Sequence, residues 1–284
     1  MSQESPLSEP VIHHGKKFIV LSDWDGTITT QDSNDFVTDT FGMGRSDRVL
    51  LNQRIRKGED NFRDGFRKMI VSVNENGKEE GKVTHTFEFC KNAVAENIKV
   101  DDTFKGFYEF CEMNDIPVVI VSRYKKLWFH RAVHSYLRSG MEPIIRAVLN
   151  KYLASLDGIQ IISNEVKTYD DGSWDIQYRH PESGFGHDKS KAIAPYRNMD
   201  PAPIVFFFGD GVSDLSAARG ATCLFVKFKP NGENELMEYC IINKIKHRLF
   251  QSFEEAQGVI KLIIFAKTEE ERQNIIAREW PEVA

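Results

Sequence analysis

Little in this chain assigns it at first sight, and each shortage removes a class of protein. Four cysteines among 284 residues, at 90, 111, 223 and 240, show no CxxC spacing. With no short secreted context either, they read as buried free thiols in a reducing compartment rather than a disulfide scaffold. No apolar run approaches the roughly 18 residues that a membrane-spanning helix needs. An excess of one charge is also missing: 42 acidic and 37 basic residues give a net charge of −5. Nothing therefore points globally to nucleic acid. Residues 1–17 are polar and lack the apolar core of a signal peptide, so a cytoplasmic location is the expectation. There is no internal repeat and no low-complexity segment. What remains is a soluble globular composition, long enough to bury a core as one large domain or as a core with an inserted one.

Short, nearly continuous apolar runs are the signature of buried parallel strands. Four stand out: Phe18–Leu21, Val118–Val121, Ile204–Phe208 and Cys223–Val226. The first three end in Ser, Gly or Asp, where a sheet would give way to binding loops. Ligands of open α/β sheets sit beyond those carboxyl ends. Between the first two runs, residues 34–100 carry helical spacing, with Phe62, Phe66, Met69, Ile70 and Val73 on one face. That stretch is long for a simple crossover and fits a helical insert better. From Ile159 to Arg179, two strand-like runs flank Asp170-Asp171-Gly172-Ser173, a hairpin signal. The last forty residues read as a short strand, a helix near 253–266 and a charged tail.

Chemistry concentrates in three places. Asp23 and Asp25 follow the first strand, two residues apart, ahead of Gly26 and Thr27; on a continued strand both point to one face. Their mutual repulsion calls for a cation, and hard divalent ions such as Mg²⁺ take oxygen ligands of this kind. An EF-hand is excluded, because its twelfth position is Asn34 and the carboxylates follow a strand. In Gly209-Asp210-Gly211 the glycines permit a sharp turn and close ligand approach. Alone this is an ordinary solvated turn, but an apolar strand precedes it and Asp214 follows. Asp210 then completes a metal site and Asp214 orients it. Lys189 and Lys191 open a probable helix. Such pairs are usually solvated, yet a phosphate dianion needs a fixed cation besides the metal.

The series Asp23-x-Asp25-Gly26-Thr27, a strand ending in Ser122, Lys189, and Gly209-Asp210-Gly211-x-x-Asp214 resembles the haloacid dehalogenase superfamily across roughly residues 18–226. The helical insert is similar to that of its phosphoserine-phosphatase-like branch. Residues Asp25–Thr29 with Asp32 look most like the small-metabolite phosphatases of fungi and bacteria. The resemblance implies an α/β fold: a Rossmann-like parallel core (16–33 and 101–250), a helical cap (34–100) inserted after the first strand, and a C-terminal helix and tail (251–284). It implies a phosphomonoesterase in which Asp23 forms an aspartyl-phosphate and Asp25 serves as acid and base. Mg²⁺ would be held by Asp23, the backbone carbonyl of Asp25, and Asp210, with Asp214 outside them. Ser122 and Lys189 would bind the phosphoryl oxygens; Lys189 is preferred to Lys191 because the family lysine precedes the apolar helical residues by several positions. Asp32, with Asn34 beside it, falls where this branch contacts substrate, although an N-cap explains Asp32 equally well. The partner implied is a small phosphorylated metabolite, a sugar-alcohol phosphate before phosphoserine or a phospho-amine, with neither nucleic acid nor membrane; the oligomeric state is not legible. A phosphomutase is a weaker third reading.

The chain departs from this pattern after Ser122. Family members follow the serine with a small pair such as Ser-Gly, which occurs here only at Ser139-Gly140. The 16 residues 123–138 hold five basic residues, two histidines and no acid; without them the net charge would be −10. They are read as an insertion interrupting the motif, of the kind a retained intron produces, against an amphipathic helix or a basic lid. Such an interruption implies, as the competing reading, a catalytically weak protein that binds or regulates.

Overall fold

The computed structural model describes residues 10–122, 141–179, 189–211, 214–230, 232 and 234–283. The interrupting segment expected at 123–138 lies outside them, as do Ser139 and Gly140. In chain order the elements are β1 (Phe18–Ser22), α1 (Ser33–Phe41), α2 (Gly44–Arg56), α3 (Phe62–Asn76), β2 (Lys78–Glu79), β3 (Lys82–Val83), α4 (Phe87–Asn97), α5 (Phe104–Met113), β4 (Val118–Val121), α6 (Glu142–Leu149) and β5 (Ile159–Ile162). They continue with β6 (Glu165–Thr168), β7 (Trp174–Gln177), α7 (Ser190–Arg197), β8 (Ile204–Gly209), α8 (Leu215–Ala218), β9 (Cys223–Lys227), α9 (Glu235–Ile242), β10 (Arg248–Phe250), α10 (Phe253–Ile264) and α11 (Glu269–Glu279).

Six strands form one sheet in the order β10-β9-β8-β1-β4-β5, every pair parallel. The expected α/β architecture is therefore present, and the four predicted runs are its inner strands. Their unbroken apolarity has a direct cause: alternate residues serve opposite faces, and both faces are covered. Ile19, Leu21, Val119, Val121, Val205 and Phe207 pack with α7, α8 and α9. Val20, Val118, Ile120, Phe206 and Phe208 pack with α5 and α10. Phe208 is the centre of the second layer, stacked on Phe225 at 4.6 Å between centroids and edge-on to Phe107 and Phe250.

Chain order puts β1 in the middle, with β4 on one side and β8 on the other. The sheet therefore reverses direction of winding around β1, and a ligand crevice is expected there. The chain leaves the sheet and returns beside itself: Thr29 bridges Val100, and the Asp101 amide donates to the Ile28 carbonyl at 2.8 Å. Between these points lie α1–α4. Phe66, Met69, Ile70 and Val73 form the buried face of α3, as their spacing predicts; the side chain of Phe62 is outside the described set.

Two details differ from the sequence reading. Ile159–Ile162 is an edge strand of the main sheet, and the hairpin around 170–173 begins only at β6. That hairpin is fastened to the helical layer rather than to the sheet. Asn74 exchanges hydrogen bonds with the Trp174 backbone (2.7 and 3.2 Å), and the Trp174 indole N–H donates to the His85 carbonyl at 3.1 Å. The charged end, in turn, is helix α11, capped by Thr268, and it brings a buried Trp280 against Phe225. All four cysteines are buried and free. Among the described residues no helix is long and apolar enough to cross a membrane.

Truncating Phe208 removes the ring that most of the second layer touches. Phe208→Ala is expected to cost about 3–5 kcal/mol in urea denaturation, whereas a loss below about 1 kcal/mol would show that its neighbours close over the gap.

Candidate functional site

Three strand ends carry the chemistry side by side. Asp23 follows β1, and its amide donates to the Phe208 carbonyl at 2.8 Å, which holds it against the end of β8. Past Asp23 the chain turns tightly: the Ile28 and Thr29 amides both reach the Trp24 carbonyl at 3.0 Å, and Gly26 adopts φ +74°, a backbone favoured by glycine. Asp210 follows β8. Ser122 follows β4, its amide bonded to the Ile162 carbonyl at 3.0 Å. Asp23, Asp25, Ser122, Asp210 and Asp214 are all buried.

Lys189, just before α7, is fully buried, a rare state for lysine that requires paired charge. Its ammonium lies 2.5 Å from Asp23 Oδ1 and 2.7 Å from Asp214 Oδ1. Lys191, two residues on, is exposed. Of the two lysines, only Lys189 makes these contacts. Asp214 spends its second oxygen on the Asp210 and Gly211 amides, at 3.1 and 3.2 Å. Gly209 permits this: a Cβ there would come within 2.6 Å of the Asp214 carboxyl group.

Sequence reasoning missed Lys229, whose Nζ lies 2.5 Å from Asp210 Oδ2. It sits two residues beyond β9, the strand beside β8, so its signal lay in strand order rather than in any local motif.

Oxygens of Asp23, Asp210 and Asp214 all lie within 4.8 Å of one another. Asp23 has neither oxygen in a well-formed hydrogen bond despite complete burial. Three packed carboxylates with oxygen donors only suit a hard divalent cation such as Mg²⁺. Without one, burial first and the Asp214 charge next push the Asp23 carboxyl up to about 7, against the pull of Lys189.

Asp25 faces elsewhere, toward the start of α1. Its Oδ1 accepts from the Ser33 amide at 2.8 Å and its Oδ2 from the Asn34 side-chain amide at 3.2 Å. Burial, then the nearby Asp32 charge, hold its pKa well above the usual carboxylate range. Asp32 caps α1, accepting from the Asn34 and Asp35 amides at 2.8 and 2.9 Å. Of the two uses left open for Asp32, the capping contact is the one seen.

A sequence profile of haloacid dehalogenase-like hydrolases matches residues 20–219. The chain belongs to that family. This hydrolase is 40% identical over 88% of its length to Pdp3-interacting factor 1 of Schizosaccharomyces pombe, covering 98% of that protein. It is 33% identical over 87% of its length to the polyol phosphate phosphatase PYP1 of Saccharomyces cerevisiae, covering 94%. The fold is also that of a phosphoserine phosphohydrolase-like protein from Francisella tularensis, with TM-score 0.54 and 15% identity over 85% of this chain and 99% of the other. Within the family the hydrolase groups with the phosphatases.

The raised Asp23 pKa makes a signed prediction for the metal-free protein. Folded Asp23 holds its proton to about 7 while the unfolded group releases it near 3.8, so the associated stability is complete below pH 4 and lost as pH rises through 7. In EDTA, the stability of the parent relative to Asp23→Asn should fall by roughly 1 to 3 kcal/mol between pH 5 and 8. Urea titrations at both pH values measure it; a flat difference would mean Asp23 ionises without opposition.

Proposed function

We propose that this hydrolase is a Mg²⁺-assisted phosphomonoesterase acting on the phosphate ester of a small polyol, itself uncharged, through an aspartyl-phosphate. The observation that carries the reading is the pairing of a buried Asp23, at the end of the central strand, with a fully buried Lys189 inside a group of three carboxylates.

In this scheme an Asp23 oxygen attacks phosphorus as the ester P–O bond breaks, and Asp25 gives its proton to the departing alkoxide. A raised pKa suits Asp25 for that task, since burial favours the neutral form that carries the proton. Water then attacks the same phosphorus, Asp25 recovers a proton from it, and the P–O bond to Asp23 breaks to free phosphate and the carboxylate. Asp23, Asp210 and the Asp25 carbonyl would hold Mg²⁺, which supplies charge neutralisation of the phosphoryl oxygens. Asp214 has both oxygens committed to Lys189 and two backbone amides, which supports a positioning role. Lys189 and Ser122 would hold the phosphoryl group, and helices α1–α4 would serve as the cap.

A buried cation in the helical layer supports the choice of leaving-group class. Arg48 is clamped by Asp39 through two bonds (2.6 and 2.8 Å) and by Asp35 at 2.7 Å. Its charge is thereby spent within the protein, which favours a neutral alcohol over the carboxylate of phosphoserine. Similarity to a polyol phosphate phosphatase supports the same choice.

Steady-state assays against polyol phosphates and phosphoserine decide the reading. Turnover should disappear in EDTA, return with Mg²⁺, prefer the polyol esters, and fall by at least about 10³-fold in Asp23→Asn. Full activity in that variant would remove Asp23 as nucleophile; a preference for phosphoserine would overturn the leaving-group assignment.

A further inference from the structure

The helical layer that contacts Asp25 buries polar groups that have no hydrogen-bond partner among the described residues. Ser33, Asn34 and Thr38 on α1, and Asn52 on α2, are each at most 4% exposed. Among the described residues, the Asn34 carbonyl oxygen, the Thr38 hydroxyl and both ends of the Asn52 amide have no hydrogen-bond partner. A buried amide with neither end paired is costly, and native proteins keep few of them. Asn52 is the extreme case, since its neighbours on α2, Leu51 and Ile55, lie in the apolar core.

The position of Asn52 follows from the helix pair. Helices α1 and α2 are joined by Gly42 and Met43 alone. Arg48, five residues past that connection, meets Asp35 and Asp39 of α1. Asn52 is one turn further out on the same face of α2, level with the start of α1. There Ser33 and Asn34 grip Asp25. The unpaired groups thus lie on the two facing helices, α1 and α2, of which α1 bonds Asp25 through its first turn.

We propose that Asn52, with Thr38 and Asn34 beside it, is the specificity-determining contact of this enzyme, pairing with hydroxyl groups of the leaving alcohol. The inference rests on the phosphatase reading above. A primary amide offers one acceptor and two donors side by side, which matches adjacent hydroxyls; an alkyl chain would leave both ends unpaired and a carboxylate only one side matched. Sites built to hydrogen-bond a hydroxyl reject analogues without it far more strongly than apolar pockets reject an extra group.

The test compares sorbitol 6-phosphate with n-hexyl phosphate, which has the same carbon count and no free hydroxyls, in the parent, Asn52→Leu and Asn52→Ser. The ratio of kcat/KM for the two esters should fall on the order of 10- to 100-fold in Asn52→Leu and by less in Asn52→Ser. The Tm of Asn52→Leu should not drop, because the change removes an unpaired amide. Should it fail to fold, Asn52→Ser carries the same reading. A ratio unchanged by substitution, or equal losses on both esters, overturns the assignment, as does a parent that hydrolyses hexyl phosphate equally well. A parent inactive on both esters with Mg²⁺ defeats the phosphatase reading instead. In that event calorimetric binding of sorbitol 6-phosphate decides: affinity lost in Asn52→Leu upholds the contact, and affinity retained or absent overturns it.

Discussion

Everything at the sheet's carboxyl edge is arranged around one electrostatic problem, the burial of several like charges within a few ångströms. Asp23, Asp210 and Asp214 cannot all be ionised and dry without compensation. The protein supplies Lys189 from one side and Lys229 from the other, and a divalent cation would supply the remainder. The fold is what makes this crowding affordable. Parallel strands with both faces covered fix three chain ends to one line, and the Asp23 amide is tied directly to β8. Crowding also gives the two carboxylates of the opening motif different characters. Burial raises both pKa values, but at Asp23 the Asp214 charge is opposed by Lys189, whereas at Asp25 the Asp32 charge is opposed by the hydrogen bonds from Ser33.

Much of this was legible in the sequence because the informative residues are local. The runs Phe18–Leu21, Val118–Val121, Ile204–Phe208 and Cys223–Val226 became strands, since a strand buried on both faces admits no polar alternation. Asp23, Lys189, Asp210 and Asp214 came together because each sits at a strand or helix terminus of the sheet layer. What could not be read depended on order in space. Lys229 reaches Asp210 only because β9 lies beside β8. Ile159–Ile162 resembled half of a hairpin, and only its pairing with Val118–Val121 makes it an edge strand. The charged last residues looked like a tail because Trp280, which helps to anchor them, says nothing of its partner Phe225.

The polar interior of the helical layer was equally silent. Neither Arg48 nor Asn52 belongs to a motif in the sequence. Burial separates them: Arg48 is ion-paired with Asp35 and Asp39, while the Asn52 amide has no hydrogen-bond partner among the described residues.

The hairpin β6–β7 has a mechanical consequence. It arises from the sheet side of the chain, between β5 and α7, yet its bonds go to Asn74 of α3 and to His85, with Val83 bonded to Asp171. The helical layer is consequently tethered by more than the adjacent crossings near Thr29 and Val100. Those two crossings alone would form a single swivel; the hairpin adds a third and fourth strap at its own base. Displacement of the helices from the sheet therefore has to bend the chain near residues 163–164 and 178–179 as well. Relative movement of the helices and the sheet is restrained by the hairpin as well as by the paired crossings.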